Sequence, residues 1–503
     1  MDRASADPLT RPRLQLRRAT VDASFLVALA VIASGAAAFA WFLHEALIRL
    51  YSLQGTAWDL GFDQQVVWNI ANGHGFYSSF AHANFLTQHF EVILVLPAIV
   101  ERLWPDPRVL LILGDLGLAA TAPAAYLMIR EILRPRPRAS LLAGLLAAPI
   151  PFWAATQQAA RDDFHPENMA LALALLATWA GLRGSRKLMW VLIALVLCCK
   201  EDQTYTVAVA GLVIAFTAPA PLRRMGWWVM GAAAAWLVLI MGVAQNVIRY
   251  QQGSGFVYTV VRSGLNAATP KSAGGDYYDW MLHPNFGVFL QTLANWHAWS
   301  ALLVMVLSMC ALPLLQPRWF SLVVPPFAAN LLSHHAPQAA MVQHYALLTL
   351  FPLIVAGAMG ARLLPSALTS SGAVVALAIV PLAFGFAYGT LPPGRLADNQ
   401  LYSVANARVD LRAAENVIPS QAPVAADDGI TPWLAARNQI EGFPSSDDAG
   451  SYVVVDRDSI LQPASWKATH EAAVGALQPS GRRLLFDDGR IQVWSPIEHA
   501  PDA

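Results

Sequence analysis

The feature that most constrains this chain is a series of long apolar stretches, recurring from Leu26 to Tyr388. In hydrocarbon every backbone polar group must be satisfied internally, so such stretches span as helices of roughly 20 residues, or as shorter pieces buried in protein. The stretches are Leu26–Leu50, Val109–Arg130, Leu141–Thr156, Asn168–Leu182, Leu188–Cys199, Tyr205–Ala218, Trp227–Ile248, Trp299–Leu315, Phe320–Leu332, Tyr345–Leu363 and Ala373–Tyr388. They predict an α-helical polytopic membrane protein of about eleven spans. Only 13% of residues are charged and 56% are hydrophobic. A soluble domain carries about 25% charge, so an ordinary soluble enzyme and a disordered chain are both excluded. Thirty-three Lys+Arg balance 33 Asp+Glu, which excludes a general nucleic-acid binder. Cys198, Cys199 and Cys310 all lie in apolar runs, so neither a disulfide framework nor a cysteine metal site is implied.

Orientation follows from the cations. Arg11, Arg13, Arg17 and Arg18 precede the first stretch, which is too long for a signal-peptide core, and they place the N-terminus in the cytoplasm. The loops with Arg130/Arg134/Arg136/Arg138, Arg183/Arg186/Lys187 and Arg223/Arg224 all fall inside if Phe90–Trp104 does not cross. That segment contains Glu91, Glu101 and Arg102 and reads as interfacial or re-entrant. The protein then lies in the cell (inner or plasma) membrane with a cytoplasmic basic N-terminus (1–21) and a multi-span domain (22–394). Its main external loops are 51–107 and 249–298, and an external domain follows (395–503). All twelve histidines fall outside or in the outer half of a span, so polar chemistry concentrates on the external face. The tail holds 15 Asp+Glu and 9 Lys+Arg and no spanning run. It reads as a small α/β domain: an amphipathic helix over Ala405–Ile418, a short one over Pro432–Asn438, a strand over Tyr452–Asp456, and a hairpin of Leu484–Asp487 with Arg490–Trp494 around Asp488-Gly489.

Four clusters could carry chemistry. The first is Trp58-Asp59-Leu60-Gly61-Phe62-Asp63-Gln64. In a helix Asp59 and Asp63 stack one turn apart, and each is a candidate general base; a helix cap is the structural alternative. The second is Arg161-Asp162-Asp163-Phe164-His165-Pro166-Glu167. Asp163, His165 and Glu167 alternate in an extended stretch and are expected to point one way, a set that suits a divalent cation or an acid–base relay. The third, Lys200-Glu201-Asp202, ends the short stretch Leu188–Cys199. Lys200 can bind a phosphate, or the three can pair among themselves. The fourth is His334-His335 with Gln343-His344-Tyr345. His89 opens the interfacial segment.

These motifs in this order resemble the DUF2079 family of polytopic membrane proteins. The resemblance rests on Asp59-Leu60-Gly61-Phe62-Asp63-Gln64, Trp68-Asn69, Gly73-His74, Phe76-Tyr77-Ser78-Ser79, His89-Phe90, Asp163-Phe164-His165-Pro166-Glu167, Lys200-Glu201-Asp202 and His344-Tyr345. The family is similar to a distant branch of the GT-C membrane glycosyltransferases. That resemblance implies transfer of a sugar from a polyprenyl-phosphate-linked donor, at the external face, with an acid in the first external loop. Asp63 or Asp59 would then be catalytic. Lys200 and Arg161 would meet the phosphate, with His89, Glu201, Asp202, His344 and Tyr345 lining the substrate site. Asp163, His165 and Glu167 would hold a divalent cation or orient the acceptor, and the glycine-rich loop Arg249–Ala298, with Arg262 and Lys271, would close as a lid. A lipid or solute transporter and a non-catalytic envelope scaffold are the alternatives from other functional classes.

Overall fold

A computed structural model describes residues 22–251, 286–333, 335–364, 371–397, 406–445, 448–459 and 464–497. The N-terminal arginines, His334 and nearly all of the expected lid, including Arg262 and Lys271, lie outside the described residues. Every expected span is helical. The passes run through Ala23–Tyr51, Arg108–Ala119 with Thr121–Ile132, Ala139–Ala147 with Ala154–Arg161, Glu167–Leu182, Arg186–Cys199, Gln203–Thr217 and Ala220–Leu237. They continue through Trp296–Ser308, the broken stretch Pro317–Leu331, Leu347–Ala361 and Ser371–Tyr388.

Among the described residues, five helices are long and apolar enough to cross a membrane: Ala23–Tyr51, Arg108–Ile132, Ala139–Arg161, Ala220–Ile248 and Ala336–Ala361. The remaining passes are shorter than the roughly 20 residues of a straight bilayer crossing, because polar turns or prolines bound or interrupt them. Short passes are tolerable where protein rather than lipid surrounds them, and Glu167–Leu182 is buried along most of its length. Glycines let the helices approach. A Cβ on Gly211 would lie 2.8 Å from the carbonyl oxygen of Gly226 on the neighbouring helix, the small-residue contact typical of helix pairs in lipid.

The passes give the bundle two chemically different ends. At one, Arg134 and Arg183 reach Glu131 at 3.2 and 3.7 Å, and Arg136 donates to the carbonyls of Ala361 and Leu364. The opposite end gathers Tyr51, the 162–166 loop, the Lys200–Asp202 turn and the Gln343–Ala346 turn. Segment 90–104 folds as a single turn, Val92–Leu94, and a helix, Val95–Glu101. Both its ends are tied to this second end: the Phe90 N–H donates to Glu201 at 2.8 Å, and Gln64 donates to Glu101 at 2.7 Å. Both ends of the segment therefore lie at the same end of the bundle.

Two tiny strands, β1 (Tyr77–Ser78) and β2 (Ala83–Asn84), pair in the first loop. The tail holds β3 (Val424–Ala426), β4 (Ile440–Gly442), β5 (Tyr452–Asp456), β6 (Leu484–Asp487) and β7 (Ile491–Trp494). They form one sheet in the order β4-β3-β5-β7-β6. β3 runs parallel to β4 and β5, and β7 antiparallel to β5 and β6. The expected strand and hairpin are present. Gly489 takes φ +96° in the hairpin turn, a conformation glycine reaches without strain. The helix expected over Ala405–Ile418 is confined to Arg408–Glu415, and that over Pro432–Asn438 to Thr431–Leu434. Strands β3 and β4 and the helix Ala464–Ala476 were not expected from the sequence; three-residue strands carry too little alternation to read.

The tail does not stand apart from the membrane domain. One apolar core joins Leu50, Leu53, Leu60, Phe62 and Val66 to Leu411, Val424, Ile430 and Ile440 of the tail. Backbone polarity is matched across the same seam. The Ala407 N–H donates to Tyr51 O at 2.9 Å, and the Trp433 indole to Leu50 O at 3.1 Å. The Ser79 hydroxyl both donates to Ile440 O (2.7 Å) and accepts its N–H (3.0 Å). The loop after β3 lies directly on the loop that carries Asp59: a Cβ on Gly429 would overlap the carbonyl of Leu53, and one on Gly61 would lie 2.8 Å from Thr431.

Candidate active site

Beneath this seam a continuous chain of polar contacts links four separate parts of the sequence. It begins at the end of the first helix, where Arg49 donates to Asp163 Oδ1 at 2.6 Å with both side chains buried. Asp163 Oδ2 accepts the Thr56 N–H at 2.9 Å and lies 3.1 Å from its hydroxyl. The same hydroxyl reaches Asp59 Oδ2 at 3.0 Å. Asp59 Oδ1 faces His165 Nε2 at 3.5 Å. His165 Nδ1 lies 3.8 Å from Asp162 Oδ2, which His344 Nδ1 meets at 2.6 Å. His344 Nε2 is 3.9 Å from Glu167 Oε1, and Glu167 pairs with Lys200 Nζ at 2.5 Å. The rings of His165 and His344 stack at 3.6 Å, and Tyr345 lies 4.0 Å beyond.

Local backbone geometry explains who joins this chain. Ala57–Gly61 forms a π-helical turn leading into the helix Phe62–Ala71. Wide turns of this kind concentrate at functional sites. Here the turn leaves Asp59 one-third exposed, while Asp63 is buried in the helix that follows. The expectation that Asp163, His165 and Glu167 point one way is corrected. Asp163 adopts φ +58°, a left-handed conformation uncommon outside glycine. That twist turns its carboxylate back to Arg49 and Thr56, so Asp163 is structural cement and Asp162 takes its place beside His165. Lys200 is likewise not paired within its own triplet but across to Glu167. Glu201 accepts the Phe90 N–H and faces His89 Nδ1 at 3.3 Å, and Asp202 accepts from Gln203 at 3.0 Å. Arg161 ends the helix Ala154–Arg161, partly buried.

Burial and neighbouring charge set the protonation states. Burial pushes the Asp63 carboxyl up to about 8, against the charge of His165 and with those of Asp59 and Glu167. It is therefore protonated at neutral pH. Burial also raises Asp59, but the hydrogen bond and charge of His165, with the charge of His344, outweigh it and hold Asp59 below the usual carboxylate value. Burial opposes charge on His165, yet Asp59 and Asp162 bring its imidazole up to about 10. Burial raises Asp162 and Asp202 each to about 7. Lys200 stays charged: burial lowers it, and Glu167 and Asp202 more than restore it. The site thus offers one ionised, accessible carboxylate (Asp59) beside one neutral carboxyl (Asp63), the separation of roles expected of an acid–base centre.

Three acids at the site were not anticipated. Asp162 sat in the motif without a role. Glu91 is buried next to Asp63, Lys200, Glu167 and Glu201, and burial, with these neighbouring acids, raises it well above its ordinary value. Asp428, in the tail's loop after β3, is raised to about 6 by burial and by the charges of Asp427 and Asp59. A buried acid one residue after His89-Phe90, and a paired Asp at a strand end, were the available signals.

The model of the family described as "Predicted membrane protein (DUF2079)" matches residues 49–487. The chain belongs to the DUF2079 family. The matched range takes in all four polar clusters and nearly the whole tail sheet, as the resemblance of the motifs implied. No curated protein matches the chain. Among solved structures, ArnT from Cupriavidus metallidurans bound to undecaprenyl phosphate is similar with a TM-score of 0.47 and 10% identity, covering 90% of this chain and 97% of that one. The apo form of ArnT gives 0.47 and 11%, covering 90% and 96%.

Proposed function

We propose that this DUF2079 protein transfers a sugar from a polyprenyl-phosphate-linked donor to an acceptor hydroxyl at the external membrane face. The observation that carries the reading is the gathering of the one-third-exposed Asp59, the buried Asp63 and Lys200, held by Glu167, at one end of a helical membrane bundle and beneath the tail. The donor class and the external orientation come from the family resemblance and the positive-inside pattern.

The acceptor oxygen attacks the anomeric carbon, its proton passes to Asp59, and the bond from that carbon to the donor phosphate breaks. The electron pair leaves on the phosphate oxygen, so the products are the glycosylated acceptor and polyprenyl phosphate. Of the two aspartates, Asp59 suits the base because it is ionised and reachable, whereas Asp63 keeps its proton and can donate a hydrogen bond to a substrate oxygen. Lys200, anchored by Glu167, retains N–H donors for the departing phosphate. Arg161 stands at the same loop. His89, Glu201, Asp202 and Tyr345 line the approach.

The test is turnover of a labelled polyprenyl-phosphate sugar by the purified chain. Asp59→Asn is expected to lower kcat by about 10²–10⁴-fold, the usual contribution of a positioned base. Undiminished turnover would remove Asp59 from that role.

A further inference from the structure

We infer that Asp162, His165 and His344 form a binding site for one divalent transition-metal cation of the zinc class. One ligand atom from each of the three lies within 4.8 Å of the others. The arrangement has a direction that a simple charge network does not need. Both imidazoles turn the same atom, Nδ1, toward a single carboxylate oxygen, Asp162 Oδ2, at 3.8 and 2.6 Å. Both turn Nε2 outward to a second carboxylate, Asp59 for His165 and Glu167 for His344. Glu167 is itself fixed by Lys200. A carboxylate behind each ligating histidine is the recurrent way proteins fix its tautomer and raise its basicity.

The inner atom of His165 supplies a second, independent observation. Its Nδ1 is buried and has no hydrogen-bond partner, although Nε2 has Asp59. A buried ring nitrogen without a partner is costly; a cation beside Asp162 would satisfy it by replacing the His165 proton and turning the two rings out of their 3.6 Å stack so that it lies in both ring planes. Ligand atoms bound at about 2.0–2.1 Å in a tetrahedral site stand about 3.3 Å apart, and the observed 2.6 and 3.8 Å bracket that spacing. The donor set decides the class of ion. Two imidazoles and one carboxylate suit zinc and its neighbours, whereas magnesium and calcium take oxygen ligands. Three protein ligands leave the fourth position open, as in sites that bind water or substrate. The set replaces the Asp163–His165–Glu167 grouping expected from spacing: His344 enters from a loop some 180 residues away in sequence, beyond the reach of any local pattern.

The site shares Asp59 with the proposed transfer reaction, and it is tested by metal binding rather than by turnover. The purified, chelator-stripped full chain is titrated with Co²⁺, read by its visible d–d absorption, and with Zn²⁺ by competition. One equivalent is expected. Asp162→Asn and His344→Gln are expected to weaken binding by more than about 100-fold, Asp59→Asn by about 10–100-fold as a residue behind a ligand, and His89→Gln not at all. X-ray absorption of the zinc-loaded wild type should show nitrogen and oxygen ligands only, which keeps the test valid if a variant fails to fold. Binding well below one equivalent, sulfur ligation, or variants that bind as tightly as wild type would overturn the site. Stoichiometric metal in a protein that transfers no sugar would sustain this inference and overturn only the proposed function.

Discussion

Gly429→Ala adds one methyl group at the point where the tail meets the loop carrying Asp59. That methyl would overlap the Leu53 carbonyl and come within 3.1 Å of Leu53 Cα. Both sides of the contact are main chain, so no side chain can swing away. Leu53 is itself buried and held at φ 60°. Clearing the overlap takes a displacement on the order of 1 Å or more, since carbon atoms pack at about 3.5–4.0 Å. Overpacking of this kind costs about 1–3 kcal/mol, which the tail can withstand because it has its own small core of Ala425, Phe443, Val453, Val455, Leu477 and Trp494. The displacement passes to Thr56–Gly61, which Pro432 and Thr431 brace from the tail side. A misplacement of about 1 Å at a catalytic group costs about 100-fold in rate. The expected result is a folded, monodisperse variant whose donor-lipid turnover falls about 100-fold, with faster hydrogen exchange along the 53–61 loop. Wild-type turnover in a folded Gly429→Ala variant would refute the claim that the tail positions the site.

The remaining predictions concern charge. Arg49→Met strands the buried Asp163 carboxylate and should destabilise the protein by about 3–5 kcal/mol; Arg49→Met with Asp163→Leu should recover part of that loss in thermal unfolding, and equal stability of the wild type and both variants would contradict the pairing. Asp63 keeps its proton up to about 8 in the folded state, far above its unfolded value, so the stability it contributes is complete near pH 4 and lost as pH rises toward 8. Asp63→Asn, which mimics the neutral carboxyl, should retain turnover within about tenfold and flatten the alkaline fall in a pH profile; a loss as deep as that of Asp59→Asn would show that Asp63 must ionise. In the tail, His470 Nε2 and Asp427 Oδ1 pair at 2.8 Å with Asp427 buried. His470→Ala should destabilise the sheet region by about 3 kcal/mol, measured by hydrogen exchange in β3 and β5.

Much of this architecture was legible in the sequence because hydrocarbon imposes a simple rule: apolar runs become helices, and polar motifs between them must gather where water or protein can hold them. The motifs around Asp59, His165, Lys200 and His344 do meet at one end of the bundle. Partner choice within them was not legible. It depends on the left-handed turn at Asp163, which one-dimensional spacing cannot reveal, and on distant pairs such as Lys200 with Glu167 and His344 with Asp162. The tail read as a separate unit because its composition changes sharply, yet its apolar residues complete a core begun by Leu50–Val66. That contact joins residues far apart in sequence, which composition does not record.

In the proposed sugar transfer, Asp59 takes a proton from the acceptor. The most direct measurement is single-turnover release of polyprenyl phosphate from a labelled polyprenyl-phosphate sugar by the purified chain, wild type against Asp59→Asn. Release by the wild type is expected in step with glycosylation of the acceptor, with a loss of about 10²–10⁴-fold in the variant while donor binding stays intact. Donor that is bound and moved across a vesicle membrane without release of polyprenyl phosphate, equally in both proteins, would contradict it.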